Sequence, residues 1–156
     1  MTMTRAVAQV STFAAGDEAA IASCITDALS QGGWVNFAPG LLEDLEEFLP
    51  REGPFSALFG RPVRPFAEVS VVPEKSIVSI GVNHGAGRLG ASGLSERGLA
   101  LPSGWKLTQD HARRGLVVEA PRDVAPLAGF VATALVALTA SAPQQTWTAL
   151  RYGGSN

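Results

Sequence analysis

The sequence predicts an α+β fold, an antiparallel sheet built from hairpins with helices packed on one face. Two alternating segments, 66–72 and 76–82, are joined by the short link Pro73-Glu74-Lys75, a length that suits an antiparallel hairpin. A second pair, 105–109 and 116–120, flanks a turn over 110–115 in which Gly115 can supply a positive φ. Helical periodicity lies outside these pairs, so strands come two at a time and a doubly wound parallel sheet is disfavoured.

At 156 residues and 46% apolar composition, the chain suits one domain that buries about two-thirds of its unfolded surface. The expected division is a flexible arm or edge strand over 1–16, a single α+β domain over 17–152 and a tail over 153–156. Charged residues make up 17% and the formal net charge is −2, against about 25% charged residues in a typical domain. That balance gives no field to draw nucleic acid or an acidic membrane. A lone cysteine, Cys24, forms no internal disulfide and suits a reducing cytoplasm. The first residues lack the continuous apolar core of a secretory signal.

Along the chain, Asp17 is placed to cap a helix whose apolar stripe is Ile21, Cys24, Ile25, Ala28 and Leu29. Gly32 and Gly33 stop it, and 34–38 reads as a short strand closed by Pro39-Gly40. Leu41, Leu42, Leu45, Phe48 and Leu49 form a second stripe, with Glu43, Asp44, Glu46 and Glu47 on a solvated face. Residues 51–65 read as an ordered loop pinned by Phe55, Leu58 and Phe59, with Arg61 and Arg64 placed to pair with that acidic face. The adjacent Ile77 and Val78 mark the second strand of the first hairpin as central, covered on both faces. Residues 88–98 are a weak helix, because Gly90, Gly93 and Gly98 each cost about 1 kcal/mol relative to alanine. Asp123 caps a last helix, with Pro126 in its first turn. The uncharged run 124–142 includes Pro126, Gly129, Thr133, Thr139 and Ser141, so it reads as a buried or dimer-interface helix and not a membrane span. A final strand over 146–152 precedes the tail.

Four groups of residues bear on chemistry. Gly85, Gly87 and Gly90 spell GxGxxG after an apolar run, with Asp110 placed 20 residues later as a dinucleotide fingerprint requires. A hairpin strand on either side and a glycine-weakened helix argue instead for a glycine turn. His84 and His111, with Asp110 or Asp17 as an orienting carboxylate, form an acid/base pair only if the strand ends meet. Trp34, Phe37, Phe55, Phe59 and Trp105 supply aromatic surface for binding, and Arg113 and Arg114 supply cations for a carboxylate or phosphate. Too few His and Cys residues are present for zinc, and no cofactor is expected.

The hairpin GWKLTQDHARRGLVVEAP followed by a long apolar helix, in a chain of this size and element order with an acidic second helix, resembles the small YbjN and type III secretion chaperone-like domains. The resemblance covers about 17–152. It implies an α+β sandwich that dimerises and binds a partner protein or peptide in extended form, without catalysis. The rich glycine turn at 85–93 and the final TWTALRY strand depart from that pattern.

Two functional readings follow. The first is a cytoplasmic, homodimeric, chaperone-like module that binds protein or peptide through a sheet edge, such as the 146–152 strand, or through the 124–142 helix. The second is a small cofactor-independent enzyme of the cyclase or isomerase type, with His84 or His111 as acid/base in a pocket lined by Trp34, Phe37, Trp105 and the 51–65 loop.

Overall fold

A computed structural model describes residues 7–41, 67–83, 90–96, 98–111, 115–139 and 144–153. Within them, a seven-stranded sheet carries three helices. The strands are β1 (Val7–Ala14), β2 (Trp34–Pro39), β3 (Glu68–Pro73), β4 (Val78–Asn83), β5 (Lys106–His111), β6 (Gly115–Ala120) and β7 (Thr146–Tyr152). The helices are α1 (Glu18–Gln31), α2 (Gly90–Glu96) and α3 (Val124–Ala137). The spatial order is β1-β7-β2-β3-β4-β6-β5, and every neighbouring pair is antiparallel. The α+β class and both predicted hairpins, β3–β4 and β5–β6, are present.

Alternation divides the sheet into two faces. On one, Val35, Phe37, Val69, Val71, Ile80, Val82, Leu116, Val118 and Ala149 form a single core cluster with Ile21, Ile25 and Ala28 of α1 and Leu127, Phe130, Val131 and Leu135 of α3. α1 and α3 pack on each other and on the central strands, while α2 packs against α3, β5 and β6. The expected stripe on α1 is real: Ile21, Ile25 and Ala28 are fully buried, and Cys24 and Leu29 flank them. β4 is buried along its whole length, as a central strand should be.

Several local expectations change. The last helix ends at Ala137 and not near 142, and most of it is core, leaving Ala125, Pro126 and Val136 as its exposed residues. The 146–152 strand, taken above as an open edge, is instead enclosed between β1 and β2. The edge is β1, formed by the segment read as a flexible arm or edge strand, the second of those alternatives. Asp110 and His111 lie in β5 and not in its turn, with His111 opposite Gly115, whose φ of 90° closes the reversal. The acidic helix over 41–49, the 51–65 loop and the glycines at 85 and 87 lie outside the described residues, apart from Leu41.

The two helix caps also differ. Asp17 Oδ1 accepts from Ala20 N–H at 3.1 Å, whereas Asp123 makes no side-chain cap hydrogen bond. Replacing an N-cap aspartate costs about 1 kcal/mol when its bond is real. Asp17→Ala is expected to lower stability by about that amount in urea denaturation, and Asp123→Ala to stay within about 0.5 kcal/mol of wild type.

Candidate functional site

Those predicted site residues that are described do not converge. Trp34 and Phe37 are three apart in β2 and so lie on opposite faces of the sheet. Phe37 is in the helix-side core, edge-on to Phe13 with centroids 6.5 Å apart. Trp34 is on the second face, stacked on Tyr152 at 5.4 Å. Trp105 packs on Phe130 at 5.3 Å, next to the helices. The aromatic lining proposed for an enzyme pocket is therefore split, and these three rings hold the fold together.

Asp110 sits on the helix face, opposite Leu116. Its Oδ2 accepts from Ala91 N–H, at the start of α2, at 3.2 Å. In a dinucleotide site the pyrophosphate would receive such N–H groups, but here the carboxylate takes one, and the surrounding sheet is antiparallel. The antiparallel sheet agrees with the hairpins that argued against the fingerprint. His111 is exposed at the end of an edge strand. His84, Phe55, Phe59, Arg113 and Arg114 lie outside the described residues. No group of three or more His, Cys, Asp or Glu suited to a metal occurs among the described residues.

Sequence reasoning missed two assemblies. The first is a buried polar set on the second face. The β-ladder puts Asn36 opposite Ser70 and Glu68 opposite Asn83; all four side chains are buried. Ser70 Oγ–H donates to Asn36 Oδ1 at 2.7 Å. Nδ2 of Asn36 and Nδ2 of Asn83 have no partner among the described residues. In sequence, these residues occupy the polar positions of alternating strands, which are normally read as facing water. Only the Ile77-Val78 pair signals cover on both faces, and it does so for β4 alone; the pattern of β2 and β3 carries no sign that Asn36, Glu68 and Ser70 are buried.

The second assembly lies where β1 meets β7. Arg151, opposite Gln9 of β1, is 8% exposed. Its guanidinium donates to Gln31 Oε1 at 2.9 Å and to Gln9 Oε1 at 3.4 Å, while Nε has no partner among the described residues. Both acceptors are neutral amides, and no described carboxylate forms an ion pair with it. Cys24 is close by on α1. Burial, and then the Asp27 carboxylate, push its thiol above the ordinary range, while a hydrogen bond with Ser11 and the Arg151 charge pull the other way.

β1 itself is an open edge among the described residues. Residues 9–12 and Ala14 are exposed, and the strand, VAQVSTFA, carries no charge and no proline. Ala15 N–H donates to Gln145 O at 2.9 Å, in phase with the ladder that sets Phe13 opposite Trp147 and Ser11 opposite Ala149. Antiparallel pairs alternate between bonded and non-bonded, so Gln9, Ser11 and Phe13 turn their amides toward β7. Val10 and Thr12 turn theirs outward. The opposite edge, β5, is blunted by a register shift between Leu107 and Gln109 and by the exposed Lys106. A shallow pocket of about 350 Å³ at that side, lined by Ser76, Ile77, Lys106, Glu119 and neighbours, contains none of the predicted site residues.

Comparison with known proteins gives no match: no family model, curated protein or solved structure aligns with this chain. No described helix is long and apolar enough to cross a membrane.

The raised Cys24 thiol has a testable consequence. Because the native state holds this proton more tightly than the unfolded chain, its stabilising contribution is complete below the ordinary thiol range and is lost as pH rises through that range to the higher native value. Urea midpoints measured from pH 7 to pH 10 should fall more for wild type than for Cys24→Ala. At pH 8, a thiol reagent should modify the native protein far more slowly than the unfolded chain.

Proposed function

We propose that the chain is a non-catalytic, cytoplasmic, chaperone-like module that binds an extended segment of a partner protein by strand addition at β1. The observation that carries this reading is an eight-residue edge strand, uncharged and free of proline, whose residues 9–12 and Ala14 are exposed. Edges of that kind template pairing with another chain, and natural sheets normally blunt them with charge, proline or bulges. β5 is blunted in this manner and β1 is not beyond Gln9, where its register becomes regular. Phe13 supports the role by anchoring the strand, since its ring sits edge-on to both Phe37 and Trp147. The likeness to YbjN and type III secretion chaperone-like domains points the same way. Self-association at β1 would occupy the same edge, so in this reading a β1 homodimer and the peptide-bound form are alternatives, with β1 favoured over α3, whose apolar residues largely face the core.

Thr12→Pro tests it. Proline removes an outward N–H while leaving the β1–β7 ladder intact, so thermal stability should change little and binding should be lost. The measurement is fluorescence polarisation with a short capped peptide of alternating threonine and valine. Equal binding by wild type and Thr12→Pro would move the binding surface elsewhere.

The catalytic alternative retains one supporting observation, which transfers it from the histidines to Glu68. This buried carboxylate, with the amides of Asn36 and Asn83 on the same face, has the donor and acceptor types of a general acid/base site. Under this reading, wild type would catalyse deuterium exchange into an enolisable ketone, followed by NMR, and Glu68→Gln would reduce that rate at least about 100-fold. No exchange above buffer by wild type across a ketone panel would remove it.

A further inference from the structure

Resting on the strand-addition reading, we propose that the β1 edge selects an extended segment bearing a carboxylate on the helix side of the sheet, opposite Gln9 or Ser11, and that Arg151 is the residue that reads it. Arg151 is more than nine-tenths buried, and a buried guanidinium ordinarily has a carboxylate or phosphate partner. Among the described residues it has two glutamine oxygens, and Nε is unsatisfied. Asp27 and Arg151 both act on the Cys24 thiol, but no ion pair joins them among the described residues.

The position of this cation relative to the open edge decides what it can meet. Gln9 and Arg151 face each other across the ladder, and their side chains point to the helix face, as those of Ser11 and Phe13 do. A strand added outside β1 would lie about 4.8 Å from β1 and about 9.6 Å from β7. Its residue opposite Gln9 would point to the same face. Extended arginine and glutamate side chains together reach across that interval. The Gln9 contact is the weaker of the two, at 3.4 Å, and its residue is exposed on the edge. An incoming carboxylate would displace Gln9 Oε1 and form a charge-assisted bond, which is shorter and about twice as strong as a neutral one. Gln31 would keep the guanidinium aligned from α1.

The occupant is thus an extended acidic peptide. A second copy of β1 would bring only Gln9, Ser11 and Phe13 to the helix face, none of them anionic. Competing small anions would meet the same charge without the backbone ladder, so they should bind far more weakly than the peptide.

The test uses two short capped peptides of alternating threonine and valine that differ only in a central glutamate or glutamine, each titrated against the full chain by fluorescence polarisation. Wild type should bind the glutamate peptide about tenfold more tightly, and 0.5 M NaCl should shrink that difference. Arg151→Gln should bind both alike. Because that substitution alters a buried position, Gln9→Glu gives an independent check. It supplies the carboxylate from within the chain, so it should raise the melting temperature and abolish the preference for the acidic peptide. Equal affinity of wild type for the two peptides overturns the charge selection and leaves strand addition standing. Binding of neither overturns both, and a preference that survives in Gln9→Glu assigns the recognition to another residue and overturns the role of Arg151.

Discussion

The structure depends on one constraint: among the described residues three helices pack on one face of a seven-stranded sheet, and side chains along a strand alternate between faces. Every consequence for function follows from which side of that plane a residue occupies. Val35, Phe37, Val69, Val71, Ile80 and Val82 are drawn under α1 and α3, which supplies the main hydrophobic stabilisation. Their strand neighbours Trp34, Asn36, Glu68, Ser70 and Asn83 must then point the other way. A one-residue slip in any strand would exchange the two sets, so the buried polar pairs Asn36–Ser70 and Glu68–Asn83 also help define register.

An open sheet must end somewhere, and its two ends differ. At β5 the register shift and Lys106 disfavour another strand. At β1 neither device is present from Gln9 onward, and the aromatic anchor Phe13 fixes the strand in place. Arg151 lies one strand in from that edge, held among the described residues by Gln9 and Gln31 and not by a carboxylate. Placing a desolvated cation there costs free energy in the isolated chain. In the proposed complex an anion on the added strand would offset that cost, so the feature that destabilises the free protein would confer selectivity on the bound one.

Much of the fold was legible in the residues. The Pro73-Glu74-Lys75 link and Gly115 marked the two hairpins, the Ile21, Ile25 and Ala28 spacing marked α1, and the Ile77-Val78 pair marked β4 as central. The site was far less legible. Aromatic residues such as Trp34, Phe37 and Trp105 carry the same apolar signal whether they line a pocket or fill a core, and only their faces tell these apart. The same holds for Asp110, whose spacing fitted a cofactor fingerprint but whose carboxylate meets the first turn of α2 at Ala91.

By itself, the sequence determined the class of the fold, the hairpin pairing and the helical stripes, because periodicity and turn chemistry are local properties encoded over a few residues. The order of strands in the sheet was decided by tertiary structure alone. Inserting β7 between β1 and β2 depends on contacts more than 100 residues apart, as the Arg151–Gln31 and Arg151–Gln9 bonds illustrate. No local pattern distinguishes an enclosed TWTALRY strand from an open one. That single placement made the amino-terminal segment the free edge, brought Arg151 beside it, and so created the surface on which the proposed function rests.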